Sequence, residues 1–221
     1  LDGIAKGFAV DCAVRAMKVS GARSGWVNAG GDLRAIGRHG ERAWRIAVRA
    51  PGGGVIGSLE TGGDEAVFTS GNYERFRLDN EVRYPHILDP RTGWPVGDLA
   101  SVTVIADEGI LADAAATAIT VAGLAGWEDV ARKLGLDQVM VVDESGAVYL
   151  TRKMNGRIDL IENLPKPDPD AEPEPEPEPE PPAAEAPLPL ALPIRVDAVR
   201  LQRLQLTLHD DSTTPSTDAV F

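Results

Sequence analysis

A run in which proline alternates with acidic residues limits how much of this chain of 221 residues can pack into a domain. Proline occupies nearly every second position of residues 165–182, with Asp and Glu between. Because proline fixes the backbone angle and lacks an N–H, and because like charges repel, this run predicts an extended, solvated spacer. We therefore expect a folded body at residues 1–163, a linker at residues 164–187 and an unassigned tail, or the start of another module, at residues 188–221.

Most of the negative charge lies in that C-terminal region. The formal net charge is −12, and the residues from Leu164 onward hold 4 Lys and Arg against 12 Asp and Glu. The body is therefore nearly balanced in charge and has no basic stripe, which argues against nucleic acid as a partner. Residues 188–221 contain one modest periodic apolar stretch, from Ile194 to Leu206, which is too short to form a core alone, so we expect either disorder or the edge of another module there.

The body alternates helix and strand patterns. Apolar residues at helical spacing predict a helix between Asp2 and Gly21 with Asp11 on its polar side, and further helices at about residues 109–122 and 127–134. Short turns between most of the strands predict an α+β domain with a largely antiparallel sheet. The predicted strands lie at residues 26–28, 33–36, 44–48, 67–69, 73–78, 101–105, 138–142 and 148–151.

The first residue gives no information about the cellular compartment. The chain begins at Leu1 rather than at Met, and its first residues already have a helical pattern, so we expect an N-terminally truncated domain. No uninterrupted apolar run approaches the ~20 residues that cross a bilayer. Cys12 is the single cysteine, which excludes an internal disulfide.

Asp113 and Thr117 form the first candidate site. They are four residues apart, so on a helix they share one face, and their neighbours are apolar. A carboxylate in such surroundings needs a partner, and a carboxylate with a hydroxyl supplies the hard oxygen ligands that magnesium prefers. Alternatively, Asp113 stabilises the first turn of its helix and Thr117 bonds back to a carbonyl.

His86 and Lys6 lie in two further candidate segments. His86 precedes the turn at residues 89–93, where it acts either as a general base or ligand anchor or, with Asp89, as part of the turn. Lys6 lies near a helix start, a position that suits phosphate, and close to the apolar side. Either an anionic partner or a lysine that extends to solvent would explain it.

Two glycine-containing bends complete the candidates, at residues 27–32 and 69–75. Paired glycines after a strand permit positive φ or a close backbone approach. The hydroxyl groups of the second bend serve either a ligand or only the turn.

In this order, the segments resemble the ApbE family, the FAD:protein FMN transferases, over roughly residues 1–152. The long segment that begins at His86 is quite specific, and the joint order is more specific still. The matching segments are Gly3-Ile-Ala-Lys-Gly-Phe-Ala-Val-Asp11, Val27-Asn-Ala-Gly-Gly-Asp32, Thr69-Ser-Gly-Asn-Tyr-Glu-Arg75, His86-Ile-Leu-Asp-Pro-Arg-Thr-Gly-Trp-Pro95, Ser101-Val-Thr-Val-Ile-Ala106 and Ala112-Asp-Ala-Ala-Ala-Thr117.

The resemblance implies a T-fold-like α+β architecture and magnesium-dependent transfer of FMN from FAD to a threonine hydroxyl, with release of AMP. It implies that Asp113, Thr117 and the backbone carbonyl of Gly3 are Mg²⁺ ligands. It also implies that Lys6 and Leu88 contact FAD. The matching histidine of the family, here His86, is the one suspected of acid–base work.

The sequence departs from the family pattern in two places. The family's N-terminal segment that helps to hold the flavin ring, with its carboxylate, has no counterpart before Leu1, and Asp2 stands where the family usually has a small residue. Ala116 replaces an acid that some members have before the metal threonine. Alternatives to transfer are therefore a magnesium-dependent FAD pyrophosphatase that gives FMN and AMP, or a non-catalytic FAD-binding module.

The resemblance also implies a partner and a location. The acceptor would be a flavoprotein subunit with a threonine-containing flavinylation motif, in a respiratory or Rnf-type electron-transfer complex. The protein would work in the periplasm or on the outer face of the cytoplasmic membrane, as a lipoprotein. The sequence does not indicate an oligomeric state.

Overall fold

A computed structural model describes residues 2–73, 75–80, 82–161, 206–210 and 217–220. The predicted linker lies outside these residues, as does most of the segment after it, but residues 206–210 and 217–220 form strands where the sequence allowed disorder. The described elements are α1 (Asp2–Val19), β1 (Gly25–Ala29), β2 (Asp32–Ile36), β3 (Arg45–Arg49), β4 (Val55–Glu60), β5 (Glu65–Gly71), β6 (Phe76–Asp79), β7 (Val82–Pro85), β8 (Leu99–Ala106), α2 (Gly109–Lys133), β9 (Val139–Asp143), β10 (Val148–Leu150), α3 (Arg152–Asn155), β11 (Ile158–Leu160), β12 (Leu206–Asp210) and β13 (Thr217–Val220).

Most strands join one main sheet. In the described part of the chain its order is β10-β9-β8-β5-β2-β1-β12-β13, while β11-β4-β3 form a second sheet and β6 and β7 a separate hairpin. Every pair of neighbouring strands is antiparallel. The predicted α+β class with a largely antiparallel sheet is therefore confirmed.

The main sheet is covered on both faces, so its central strands are buried. Strand β8 is buried at all its positions, in keeping with a sequence that is apolar except for Ser101 and Thr103. On one face α1 and α2 pack against the sheet around Val10, Val104 and Ile119. On the other face the three-stranded sheet packs around Val48, Ile56 and Met140.

Helix α1 buries a face that includes Asp11, which the sequence placed on the polar side. The buried positions are Gly7, Val10, Asp11 and Val14. The predicted polar location of Asp11 is wrong, because the Asp11 carboxylate accepts hydrogen bonds from the backbone N–H groups at the start of α2. The predicted end of the helix is confirmed by Gly21, which has φ of 93°. Its N–H donates to the Lys18 carbonyl, and the Ala22 N–H donates to the Met17 carbonyl.

The two long helices cross at a pair of glycines. A Cβ atom on Gly7 would lie 2.3 Å from the carbonyl oxygen of Gly109, and one on Gly109 would lie 2.9 Å from that of Gly7. Both contacts are with backbone, which cannot move aside as a flexible side chain can. The crossing therefore requires glycine on both helices, and it brings the first turns of α1 close to Asp113 on α2.

Helix α2 bends near its middle. Gly123 has φ of 69° and ψ of −178°, which are not helical, so the span consists of two helical segments that meet at Gly123, in agreement with the two helices predicted at residues 109–122 and 127–134. Asp98 accepts the Leu124 N–H just beyond the bend. By length and composition α2 could cross a membrane, although the sequence contains no uninterrupted apolar run of that length. Its apolar residues instead pack on the main sheet, as in a core helix.

Most predicted strands are present, with exceptions. Of the strand predicted at residues 73–78, only the second half is observed, because β5 ends at Gly71 and β6 begins at Phe76. Strands β4, β7 and β11 were not predicted, and the sequence left unassigned the region that supplies β12 and β13. Strand β12 pairs with β1 and extends the main sheet.

An ion pair between Glu65 on β5 and Arg157 ties the two sheets together. The atoms are 2.8 Å apart and both side chains are largely buried. Burial alone would raise the pKa of Glu65, but hydrogen bonds from Arg157 and the Gly62 N–H outweigh it, so the pKa lies below its usual range. The pair therefore stabilises the fold at neutral pH, and this contribution disappears as the pH falls through the lowered pKa.

Glu65→Gln is expected to lower the free energy of unfolding by about 2 kcal/mol at neutral pH. The difference from wild type should shrink as the pH falls below the usual glutamate range and through the lowered pKa of Glu65, where the wild-type carboxylate also becomes protonated. Urea unfolding between pH 3 and pH 7 measures it. Asp129→Asn is the control, because the Asp129–Arg132 pair is exposed and should contribute little. A difference that is constant with pH would contradict the assignment to the ion pair.

Candidate functional site

The polar groups of the candidate site meet where α1 and α2 lie beside the end of β5. Because α1 and α2 cross at their glycines, the first turns of α1 face Asp113 and Thr117 on α2. Strand β5 adds Ser70. The structure thus brings together residues that are more than 100 positions apart in the sequence.

Asp113 is the buried acid of this cluster, with 5% of its surface exposed. Its carboxylate accepts a hydrogen bond of 2.9 Å from the Gly7 N–H on α1. Burial raises the pKa of Asp113, and the Gly7 N–H and the charge of Lys6 offset this only in part. The alternative in which Asp113 stabilises the first turn of its own helix is not observed, because Asp11 accepts the N–H groups at that helix start.

Two hydroxyl groups lie beside this acid. The oxygens of Ser70 and Thr117 are 3.4 Å apart. A Cβ atom on Gly3 would lie 3.6 Å from the Thr117 hydroxyl, so the first turn of α1 also contacts this group. The sequence allowed a hydrogen bond from the Thr117 hydroxyl to a carbonyl of its own helix. In the structure it is the Thr120 hydroxyl that donates such a bond, to the Ala116 carbonyl. Gly3 therefore lies close to Thr117, which is one helical turn from Asp113.

Lys6 has an anionic partner within the protein. Its ammonium group donates to Asp32 at the start of β2, and the second Asp32 oxygen accepts the Thr69 N–H at 2.8 Å. Burial raises the pKa of Asp32, Lys6 and the Thr69 N–H lower it, and Asp113 raises it again, so the pKa lies above its usual range. The sequence allowed a carboxylate partner for Lys6 but did not identify Asp32.

Among the described residues, no hydrogen bond connects the His86 side chain with this cluster. It is exposed, and its Nδ1 lies 3.0 Å from the backbone carbonyl of Arg75. Because a carbonyl only accepts, Nδ1 carries the proton in the neutral ring. The lone pair of Nε2 is then free to take a proton, as a general base requires.

Several hydrogen bonds of Asp89 hold the turn that follows His86. The backbone carbonyl of Asp89 accepts the Gly93 N–H at 2.7 Å, and its carboxylate binds Arg91 through two hydrogen-bonded contacts. Asp89 therefore fixes the turn, as one alternative proposed. Leu88 forms a β-bridge with Pro95 and is 53% exposed, so it is available to a ligand.

The glycine-containing bends prove to be of unequal importance. Gly30 and Gly31 have φ of 65° and 96°, which explains the paired glycines as a tight turn between β1 and β2. Asp32 and Ser70 belong to the polar cluster. Each lies in a candidate bend that the sequence indicated, at residues 27–32 and 69–75, but neither was given a role of its own.

The oxygen donors of this cluster are too few to fill the coordination shell of a hard cation unless a bound ligand adds further oxygens. No group of three His, Cys, Asp or Glu side chains that could hold a metal occurs among the described residues. Asp113, the Thr117 hydroxyl and the Gly3 carbonyl are all oxygen donors, the type that Mg²⁺ prefers. Mg²⁺ commonly completes its shell with phosphate oxygens and water, so this partial set suits a phosphate-bearing ligand.

The fold and the cluster define an α+β domain with a buried acid and hydroxyls between two helices and a strand end. The ApbE family profile matches residues 1–140, and the chain belongs to the ApbE family. A relative from Rhodobacter capsulatus, FAD:protein FMN transferase, is 40% identical over 169 residues, which are 76% of this chain and 32% of that protein.

Among the solved structures that are similar to this chain are two ApbE proteins. The crystal structure of the ApbE protein from Thermotoga maritima has a TM-score of 0.64 and 38% identity, and the match covers 69% of this chain and 51% of that one. The apo flavinyl transferase ApbE from Pseudomonas stutzeri has a TM-score of 0.60 and 33% identity, with coverage of 70% and 49%. The chain thus spans about half of these structures and about a third of the Rhodobacter protein.

Proposed function

We propose that this protein transfers FMN from FAD to a threonine hydroxyl of an acceptor flavoprotein and releases AMP, with Mg²⁺ required. The observation that carries the proposal is the cluster of Asp113, Thr117 and Gly3 beside Lys6. The relatives named FAD:protein FMN transferase support the substrate and the reaction. The acceptor subunit, an electron-transfer complex as its context and a site outside the cytoplasm belong to the same proposal.

Asp113, Thr117 and the Gly3 carbonyl would hold Mg²⁺. A bound Mg²⁺ ion supplies neutralisation of charge on the pyrophosphate and orientation of its phosphorus for in-line attack. A pyrophosphate has two phosphate groups, of which the first would lie at the Mg²⁺ site. Lys6 and the N-terminus of α1 bind the second phosphate, since an ammonium group and free N–H groups favour an anion there.

The bond changes are those of a phosphoryl transfer. The threonine oxygen of the acceptor bonds to the phosphorus of the FMN half of FAD, and the bond from this phosphorus to the AMP oxygen breaks. The threonine proton passes to Nε2 of His86, and AMP leaves with the bridging oxygen. The free Nε2 lone pair fits this role, because the Arg75 carbonyl holds Nδ1 protonated.

Incubation of the protein with FAD and Mg²⁺, with and without a threonine-containing acceptor, tests the proposal by mass spectrometry. We expect acceptor that has gained an FMN group and one AMP for each transfer. Release of FMN and AMP without covalent product would identify a pyrophosphatase instead. Recovery of unchanged FAD from an FAD-bound protein would identify a binding module.

His86→Gln is expected to slow transfer about a hundredfold, because glutamine cannot accept the threonine proton. His39→Gln is the matched control, since His39 stacks on Trp44 in another part of the fold and should leave the rate unchanged. Rates are compared at saturating FAD and equal acceptor concentration. Equal rates for His86→Gln and wild type would exclude His86 as the base.

A further inference from the structure

In the ion pair between Lys6 and Asp32, the acid is buried and the lysine is partly exposed. The Asp32 side chain is 4% exposed, whereas that of Lys6 is 43% exposed. An isolated lysine with this exposure would extend its flexible side chain into solvent and sample many rotamers. The buried carboxylate instead holds the ammonium group against the protein.

Asp32 itself is fixed in position by the backbone. Its Oδ1 accepts the Thr69 N–H from β5 at 2.8 Å, and its Oδ2 accepts from Lys6. It is the first residue of β2, directly after the Gly30–Gly31 turn, and β2 pairs with β5 through Leu33 and Val67. The carboxylate is therefore oriented by its place at the start of β2 and by the β5 backbone, and its second oxygen is left to Lys6 on α1.

Lys6 also lies close enough to Asp113 to act on both acids. The charge of Lys6 lowers the pKa values of Asp32 and of Asp113, and Asp113 in turn raises that of Asp32. The ion pair with Asp32 therefore holds a positive charge that also acts on Asp113.

We propose that Asp32 is a positioning residue, whose ion pair with Lys6 aims the ammonium group at the second phosphate of a pyrophosphate bound beside Asp113. This inference rests on the function proposed above. Because the ion pair restricts the rotamers of Lys6 before the ligand arrives, binding does not have to order this side chain. The ligand class that benefits is a pyrophosphate ester, not a flavin without phosphate.

A double-mutant cycle of Lys6→Met and Asp32→Asn tests this inference. Asparagine retains an acceptor for the Thr69 N–H but turns no negative charge toward Lys6. We expect each single variant to bind FAD and inorganic pyrophosphate about tenfold more weakly in excess Mg²⁺, measured by calorimetry. The double variant should bind no more weakly than Lys6→Met alone, since Asp32 acts only through Lys6.

Riboflavin and Asp64→Asn provide the controls. Riboflavin has no phosphate, so its affinity should not change in Asp32→Asn. Asp64 pairs with Lys18 on the same helix but away from the cluster, and Asp64→Asn should leave FAD affinity unchanged. Thermal melting establishes that the variants are folded, and Asp32→Glu, which keeps the charge, should recover part of the affinity.

The inference is overturned if folded Asp32→Asn binds pyrophosphate as wild type does, or if the losses of the two variants simply add. Equal losses for riboflavin and for FAD would also overturn it, because they would indicate a general distortion of the site. These results would leave the proposed function intact provided that Lys6→Met weakens FAD binding. Wild-type protein that does not bind FAD would instead contradict the proposed function itself.

Discussion

Asp113→Asn is expected to reduce flavin transfer about a thousandfold or more while the protein remains folded. The proposed Mg²⁺ site has Asp113 as its single carboxylate, and an amide is a much weaker ligand for a hard cation. Loss of metal-dependent charge stabilisation of several kcal/mol corresponds to this factor in rate. Transfer to a threonine-containing acceptor at saturating FAD measures it.

The stability of the variant distinguishes loss of the metal from unfolding. Asparagine can still accept the Gly7 N–H that Asp113 accepts now. Burial raises the pKa of Asp113, so the wild-type carboxylate destabilises the metal-free fold at any pH above that raised value. Metal-free Asp113→Asn should therefore melt no lower than wild type at neutral pH, and its advantage should vanish as the pH falls through the raised pKa.

Asp129→Asn on the same helix is the control, because Asp129 is exposed and far along α2. It should retain both transfer and Mg²⁺ binding. Calorimetry of Mg²⁺ in the presence of FAD supplies a second measurement, in which Asp113→Asn should show no saturable metal binding. Transfer at the wild-type rate by Asp113→Asn would reject the metal assignment.

Much of the fold could be predicted because local patterns and tertiary structure agree. Strand β8 is rich in apolar and β-branched residues and is buried on both faces, and Gly21 follows α1 with positive φ, as glycine often does at the end of a periodic helix. The spacing of Asp113 and Thr117 on one helix face also follows from local geometry alone. The partners of these residues on other elements do not.

The unpredicted features all depend on contacts between distant segments. Asp32 binds a residue 26 positions away, and Asp11 binds the start of a helix 98 positions away. In the sequence a buried acid of this kind looks like any surface acid on the polar side of a helix. The burial of the Asp11 side of α1 has the same origin, since the contact between Gly7 and Gly109 decides which side of the helix is buried.

Asp11→Ala is expected to lower the free energy of unfolding by about 3 to 5 kcal/mol, a large part of the total of a typical domain. Asp11 is 8% exposed, and its oxygens accept the N–H groups of Gly109 and Ile110 at 2.8 and 2.9 Å. It also pairs with Arg34 at 2.6 Å. Alanine would leave the start of α2 without its cap and a mostly buried arginine with one partner fewer.

Urea unfolding at neutral pH measures this loss, and thermal melting should show a fall of roughly 10 °C. Asp11→Asn should lie between alanine and wild type, because a single amide oxygen can replace only one of the two carboxylate acceptors. Arg34→Met should cost less than Asp11→Ala, since Asp11 would still cap α2. If Asp11→Ala cost no more than the exposed-acid control Asp129→Asn, the cap would not stabilise the helix crossing on which the candidate site depends.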